Sequence, residues 1–240
     1  MGQVIIYPET TRKPITLIGR RAGVCWGSDT SDDTKNYERG LNCIKQNHGR
    51  TLEFVDVQMC LKGYSARVIR EWYTHIGGSP TRLQESTRYK KYDDFGIIVP
   101  KSIESNSGAY SLYMNTYKII QSCLMNLEKE FSIPREDAAM ILPLGMSTVI
   151  VDKRNVRNLI DMSRNRECAT ANWEYRDMFC DLKKELAAYG KDYGDEWTTL
   201  INMTFHPKCV GLRYCPEDKC CGRYPKKEEL WTIGVDLANE

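Results

Sequence analysis

The chain of 240 residues is 41% hydrophobic and 28% charged, an ordinary composition for a globular protein with one large core. Its 34 basic and 32 acidic residues nearly cancel, so the net charge does not indicate a protein that coats nucleic acid or an anionic membrane. No stretch approaches the roughly 20 apolar residues of a membrane span, and the N-terminus lacks a basic segment followed by an apolar run, so we expect a cytoplasmic protein with no membrane and no nucleic-acid partner.

The first third of the chain combines short apolar runs with helical patterns. These patterns predict strands at residues 4–7, 15–18 and 53–61 and a helix at residues 33–47. Ser65 is placed to cap a further helix, which we expect to stop at the Gly77-Gly78 pair. Residues 77–92, GGSPTRLQESTRYKKY, are predicted to be a loop because glycine, proline and hydroxyl residues precede alternating basic and aromatic ones.

The rest of the chain is mostly helical in pattern. Apolar and aromatic residues at three- and four-residue steps predict a long helix over residues 113–127. The other predicted elements are a strand at residues 147–152 and helices at residues 134–140, 154–164, 169–189 and 196–203. Because strands and helices do not alternate regularly, we predict an α+β fold in which a mixed or antiparallel sheet packs with long helices. We expect a single catalytic domain at residues 1–205 and a cysteine-rich extension at residues 206–240.

The predicted loop is the most informative segment for function. The chain has no glycine-rich dinucleotide fingerprint after a strand and no phosphate loop ending in Gly-Lys-Ser/Thr. Arg82, Arg88, Lys90 and Lys91 are nevertheless side chains that bind phosphate, and the loop also offers hydroxyl groups. From composition alone, either a phosphate site or a solvated basic loop remains possible.

The order of residues in three blocks resembles one known family. His75 followed by Gln84-Glu85-Ser86-Thr87-Arg88-Tyr89 is similar to the signature of the flavin-dependent thymidylate synthases. The family's C-terminal half is matched by the following residues: Leu142-Pro143, Thr148, Asn155-x-Arg157-x-Leu159, Arg166 and Ala171-Asn172-Trp173-Glu174-Tyr175-Arg176. His48-Gly49-Arg50-Thr51-Leu52-Glu53 is a weaker third match. The resemblance covers residues 15–190 and implies the fold of that family.

This resemblance implies an enzyme that methylates dUMP reductively to dTMP. Methylenetetrahydrofolate is then the one-carbon donor, NADPH the reductant and FAD the bound cofactor that carries the difficult chemistry. It also implies a homotetramer with sites at subunit interfaces. The residues implied are Arg166 as the catalytic residue; Glu71, Gln84, Glu85, Ser86, Thr87, Arg88 and Arg166 for dUMP; and Arg50, Thr74, His75, Ile76, Asn155, Arg157 and Asp161 for FAD.

The chain also departs from the family pattern. Thr74 and Ile76 stand where the signature has arginines on either side of the histidine, and Glu71 and Gln84 replace a glutamine and a glutamate. Ala139 occupies a position where many relatives have an arginine for the nucleotide phosphate. We hypothesise that Arg82, in the loop predicted at residues 77–92, supplies that missing charge. Unchanged dUMP affinity in an Arg82→Ala variant would contradict this.

Other interpretations use the same residues. The enzyme could act on a different pyrimidine nucleotide, which a comparison of dUMP with dCMP would show. A non-catalytic nucleotide- or nucleic-acid-binding module would instead use the basic loop residues with Tyr89 and Tyr92 as stacking surfaces, and it would bind no flavin. Arg157 and Asp161 would in that case form an ordinary surface pair one helical turn apart.

Ten cysteines fall into two groups. We predict that Cys25, Cys43, Cys60, Cys123, Cys168 and Cys180 are reduced core residues, because free cysteine is commonly buried. The C-terminal group consists of His206, Cys209, Cys215, Cys220 and Cys221. Its members are numerous enough for one zinc ion but irregularly spaced, so zinc, a disulfide and reduced thiols all remain open and no metal ligand is assigned.

Overall fold

A computed structural model describes residues 2–91 and 94–233 of the chain. Its strands are β1 Gln3–Ile6, β2 Asp56–Ser65, β3 Thr81–Gln84 and β4 Ser147–Asn155. Its helices are α1 Pro14–Cys25, α2 Asp33–Lys45, α3 Ala66–Tyr73, α4 Lys101–Glu104, α5 Ser107–Lys129, α6 Arg135–Ala138, α7 Val156–Arg166, α8 Trp173–Lys191, α9 Glu196–Thr204, α10 Lys208–Leu212 and α11 Lys227–Ile233. Short 3-10 helices lie at Gly49–Phe54 and Ala139–Ile141. Tyr92, considered above as a stacking residue, lies outside the described residues.

The sheet has four strands in the order β1-β2-β4-β3. Helices make up most of the remaining described chain, and the sheet is small and antiparallel, so the predicted α+β class is confirmed. The chain divides into two compact units. The first contains the described parts of residues 1–5, 59–74 and 81–152, and the second those of residues 6–58, 75–80 and 153–240.

The first unit has a core beneath the long helix α5. Phe95, Leu124, Ala138 and Met146 are buried together, with partly buried apolar side chains around them. Tyr117 lies edge-on to Phe95, with ring centroids 4.9 Å apart, and its hydroxyl donates to the Phe95 carbonyl. Tyr117 thus anchors α5 to the backbone at Phe95.

The second unit depends on close helix packing. A Cβ atom at Gly19 of α1 would lie 1.7 Å from the Asn36 carbonyl oxygen, and one at Gly40 of α2 would lie 2.0 Å from the Ile15 oxygen. Only glycine allows the two helices to approach this closely. Helices α8 and α9 supply the fully buried core side chains Tyr175, Met178, Phe179, Leu182, Leu186, Trp197 and Leu200.

Two of the predicted elements are wrong. The apolar run at residues 15–18 belongs to helix α1 rather than to a strand, because Ile15, Ile18 and Ala22 continue at helical spacing and are all buried. The loop predicted at residues 77–92 contains strand β3, whose four residues are mostly exposed and lie at the edge of the sheet. Such a short, exposed strand leaves little periodic signal in the sequence.

The end of α3 also differs from the prediction. The Ser65 side chain accepts a hydrogen bond from the Val68 backbone at 3.1 Å, so the predicted cap is confirmed. The helix stops at Tyr73, before the glycine pair. The backbone N–H and the hydroxyl of Thr74 both donate to the Glu71 carbonyl, which closes the last turn.

All ten cysteines are free thiols. The prediction that six of them are core residues holds for Cys43 and Cys60, which are buried. It is wrong for Cys25, Cys123 and Cys180, which are exposed on helices, and Cys168 is only partly buried. A helix surface tolerates an isolated thiol, so an apolar sequence neighbourhood does not establish burial.

Candidate active site

A cleft of about 240 Å³ lies in the second unit, beside the start of helix α7. It is lined by Glu53, Gly77, Gly78, Asn155, Arg157, Asn158 and Asp161. Asn155 caps the helix, since its side-chain oxygen accepts a hydrogen bond from the Asn158 backbone at 2.9 Å. The cap fixes the first turn of α7 and places Arg157 and Asp161 at the cleft.

The glycine turn forms the other wall of this cleft. Gly78 has a φ of +73°, and a Cβ atom there would lie 2.1 Å from the Asn155 amide nitrogen. At Gly77 the corresponding distance to the Asn158 amide nitrogen is 2.9 Å. Two features therefore require glycine at position 78: the left-handed backbone and the close approach of the turn to the helix cap.

The charges at the cleft are partly paired. Glu53 accepts from Arg157 at 2.6 Å and lies 3.7 Å from Arg50. Asp161 pairs with Arg164 at 3.3 Å rather than with Arg157. Two arginines therefore share the Glu53 carboxylate, and each has donors that an anionic group could also use.

Arg166 at the end of α7 is held by two aromatic side chains of the same unit. Its Nε donates a hydrogen bond to Nε2 of His75 at 3.0 Å. Its guanidinium carbon lies 4.9 Å from the ring centroid of Tyr175. His75 in turn contacts Tyr175 edge-on, with ring centroids 6.2 Å apart.

This arrangement requires a neutral His75. Burial, together with the positive charges of Arg166 and Arg154, lowers the pKa of His75 from 6.5 to about 4. Because the arginine Nε carries a hydrogen and can only donate, Nε2 of His75 must be the unprotonated acceptor. The ring therefore carries its proton on Nδ1 at neutral pH.

Residues 84–88 of the signature lie in the first unit, at the end of β3 and in the compact turn that follows it. The backbone N–H of Glu85 donates to the Val149 carbonyl at 2.9 Å, which ties the loop to β4. The Ser86 hydroxyl accepts from the Arg88 backbone at 3.2 Å, and Lys90 pairs with Glu85 at 2.8 Å. The Gln84 side chain lies at the limit of hydrogen bonding from Thr148, at 3.5 Å.

Helix α6 contacts this turn through one ion pair and one hydrogen bond. Arg88 is exposed, and its Nε lies 2.7 Å from a carboxylate oxygen of Glu136. Arg135 donates to the Tyr89 carbonyl at 3.1 Å and pairs with Glu128 at 3.1 Å. Arg88 is thus already oriented toward an anionic group that a phosphate could replace.

Arg82 is engaged elsewhere in this unit. Its Nη1 donates to the Tyr73 carbonyl at 2.7 Å, and its guanidinium stacks on the Tyr73 ring at 4.4 Å from the centroid. Its proposed part in phosphate binding stays a hypothesis.

The structure thus brings some of the predicted residues together. Asn155, Arg157 and Asp161 line one cleft, with Arg50 beside Glu53 at that cleft, and Gln84 to Arg88 run from the last residue of β3 into the turn that follows. Ile76 and Thr74 are exposed, Glu71 lies in α3, and the Thr74 hydroxyl is bonded to the Glu71 carbonyl.

Besides the glycine pair, sequence reasoning missed two polar residues of the cleft. Glu53, which holds both arginines, is the glutamate of the weaker third block, so the pattern contained it without a role being assigned. Asn158 lines the cleft three residues after the cap residue, and no sequence pattern marked it.

The four C-terminal cysteines lie in the second unit, and Cys209 lies in α10. Cys209 and Cys215 are buried, whereas Cys220 and Cys221 are exposed. Over residues 2–91 and 94–233, no three His, Cys, Asp or Glu side chains are grouped so as to hold a metal ion. The zinc alternative therefore has no support in that part of the chain. Within the same residues, no helix is long and apolar enough to cross a membrane.

Comparison with known proteins identifies the class. Residues 8–189 match the family model described as thymidylate synthase complementing protein. Flavin-dependent thymidylate synthases from Thermococcus onnurineus and Pyrococcus horikoshii are similar to the chain. The first is 28% identical over 92% of this chain and 93% of its own length. The second is 30% identical over 78% of this chain and 77% of its own length.

A solved structure shares the fold. The flavin-dependent thymidylate synthase of Helicobacter pylori, solved in complex with FAD and dUMP, superposes with a TM-score of 0.62 at 18% identity. The match covers 80% of this chain and 98% of that one. The chain belongs to the flavin-dependent thymidylate synthase family, whose members are methyltransferase enzymes.

Proposed function

We propose that this protein makes dTMP from dUMP, with FAD as bound cofactor, methylenetetrahydrofolate as one-carbon donor and NADPH as reductant. Family membership supports the reaction class, and the related Helicobacter pylori enzyme was solved with FAD and dUMP bound. The observation that carries the proposal is the guanidinium of Arg166, fixed between His75 and Tyr175. A preorganised positive charge of this kind favours negative charge on the uracil ring as the ring is activated.

The dUMP-binding residues in this proposal are Glu71, Gln84, Glu85, Ser86, Thr87, Arg88 and Arg166. Arg88 would bind the phosphate, because its present partner is the exposed carboxylate of Glu136 and an arginine binds both groups through the same donors. The Ser86 and Thr87 hydroxyl groups lie in the same turn and offer further donors.

The cleft beside α7 is suited to part of FAD. Its cations Arg50 and Arg157 and its amides Asn155 and Asn158 are groups that bind phosphate and polar oxygen atoms. We assign Arg50, Thr74, His75, Ile76, Asn155, Arg157 and Asp161 to this cofactor. Bound FAD would supply the redox chemistry and the transfer of the one-carbon unit.

We also propose a homotetramer that completes the sites. The cleft, at about 240 Å³, is smaller than the 300 Å³ or so at the lower end of typical ligand pockets, so another subunit would have to contribute the rest of the cofactor site. Leu112 and Ile119 on α5 are 70% and 68% exposed, beside an apolar groove of about 390 Å³. Exposed apolar surface of this kind is typical of an interface.

We keep residues 1–205 as the proposed catalytic domain and residues 206–240 as an extension. The end of the family match at residue 189 supports this division. A cytoplasmic location stays a prediction.

The substrate is tested by chromatography and mass spectrometry of the nucleotide product. We expect dTMP from dUMP only when FAD, NADPH and methylenetetrahydrofolate are all present. Methylation of dCMP in preference to dUMP would identify another pyrimidine substrate. Protein that folds but retains no flavin, and binds single-stranded nucleic acid in a salt-sensitive manner, would contradict the proposal.

A further inference from the structure

Tyr175 is assigned to neither dUMP nor FAD, yet it contacts both residues that define the Arg166 site. The Tyr175 ring is fully buried, lies 4.9 Å from the guanidinium carbon of Arg166 and meets His75 edge-on. The ring also stacks on Phe179, with ring centroids 6.0 Å apart and an interplanar angle of 17°. The Phe179 ring in turn packs near Phe205, with ring centroids 6.4 Å apart.

These contacts restrain Arg166 in two directions. The hydrogen bond from Nε to His75 fixes the guanidinium at one edge, and the Tyr175 ring supports it through a cation–π contact. An arginine side chain otherwise has large rotamer freedom, which must be lost before its donors can act on a substrate. The supporting ring itself has little freedom to move, because Tyr175 is 0% exposed.

We propose that Tyr175 is a positioning residue for Arg166: its buried ring, with His75, holds the guanidinium in the orientation required for catalysis. This inference rests on the proposed function, in which Arg166 acts on the pyrimidine. Tyr175 itself touches neither substrate nor cofactor in this proposal. Misplacement of a catalytic group by about 1 Å can cost on the order of 100-fold in rate, so a positioning ring has a measurable effect.

The test compares three substitutions on α8. Tyr175→Phe keeps the ring, whereas Tyr175→Met keeps much of the volume but removes the ring. Phe179→Met is the matched control, since Phe179 is equally buried and stacks on the same ring. We expect Tyr175→Met to lower kcat about 10- to 30-fold, with a smaller effect on KM for dUMP. Tyr175→Phe and Phe179→Met should stay within about threefold of wild type.

A double-mutant cycle separates positioning from general packing. In an Arg166→Lys background the planar guanidinium is absent, so Tyr175→Met should cost less than about threefold in the remaining activity. An equal loss in both backgrounds, or equal losses in Tyr175→Met and Phe179→Met, would overturn the proposal.

Crystal structures of wild type and Tyr175→Met provide a readout that does not depend on activity. We expect Arg166 Nε to remain within hydrogen-bonding distance of His75 Nε2 in wild type and to leave that position in the variant. An unmoved Arg166 in the variant would overturn the positioning role. Wild-type protein without activity on dUMP would refute the proposed function, and the two crystal structures would still decide the role of Tyr175.

Discussion

His75 accepts the hydrogen bond from Arg166 only while its ring is neutral, and this makes stability depend on pH. Its pKa is about 4 in the folded protein, lowered from 6.5 by burial and by Arg166 and Arg154. Below pH 6.5 the unfolded chain therefore binds a proton that the folded chain does not. The stabilisation from His75 is complete above pH 6.5 and is lost as the pH falls toward about 4.

The corresponding experiment is urea unfolding over this pH range. We expect the free energy of unfolding of wild type to fall from pH 6.5 toward about 4. A His75→Gln variant keeps an acceptor but does not titrate, so its free energy of unfolding should fall less steeply. Parallel curves for the two proteins would show that another group causes the loss.

Arg88 and Glu136 form a pair in which only one member is assigned to dUMP. We expect Arg88→Ala to raise KM for dUMP about 10- to 100-fold, since a hydrogen bond to a charged group contributes roughly 1.5–3 kcal/mol. Glu136→Gln removes only the competing carboxylate, so its KM should be unchanged or lower, and the change in stability should stay within about 0.5 kcal/mol. Steady-state kinetics measures both, and similar increases in KM would mean that the pair serves structure alone.

At the scale of the element, the glycine turn is expected to support the cleft through the cap of α7. In a Gly78→Ala variant the alanine would have to adopt a left-handed backbone, and its Cβ would lie 2.1 Å from the Asn155 amide nitrogen. We expect a loss of more than about 2 kcal/mol of stability and weaker FAD binding.

Gly194→Ala is the control for backbone strain alone, because φ there is +90° and nothing lies within 4 Å of the added Cβ. It should cost about 1 kcal/mol and leave flavin content unchanged. Thermal unfolding and the flavin absorbance of purified protein provide the comparison. Equal behaviour of the two variants would show that the contact with Asn155 is unimportant.

Elements were predictable from sequence where a local chemical signal marks them. Ser65 marks the start of α3, because its hydroxyl accepts a hydrogen bond from a backbone N–H that has no partner within the helix. Helix α5 is marked by apolar residues at helical spacing along its length. The sequence Ile-Thr-Leu-Ile at residues 15–18 fits a strand or a helix equally, and the helix is indicated only when Ala22 is included in the spacing of Ile15 and Ile18. The contact between His75 and Arg166 joins positions 91 residues apart, so no local pattern contains it.

At the scale of the whole molecule, the family and its implied chemistry could be inferred from the order of the motifs in the sequence. The partners of each site residue were not, because ion pairs such as Arg157 with Glu53 depend on tertiary structure. The proposed tetramer is likewise a property that one chain does not contain.

The tetramer predicts a specific response to charge on α5. Leu112→Lys combined with Ile119→Lys should dissociate the assembly and reduce flavin content, because two charges would be buried at an apolar interface. Light scattering coupled to size-exclusion chromatography measures the mass, with Lys184→Ala on α8 as a surface control. An unchanged mass in the α5 variant would exclude that face from the interface.

The central claim is tested most directly by tritium release from dUMP labelled at C5 of the pyrimidine. We expect release from wild type that requires FAD, NADPH and methylenetetrahydrofolate, and release at least about 100-fold slower from Arg166→Ala. Arg21→Ala, an exposed arginine on α1, should match wild type. No release from folded, flavin-loaded wild type, or undiminished release from Arg166→Ala, would contradict the account.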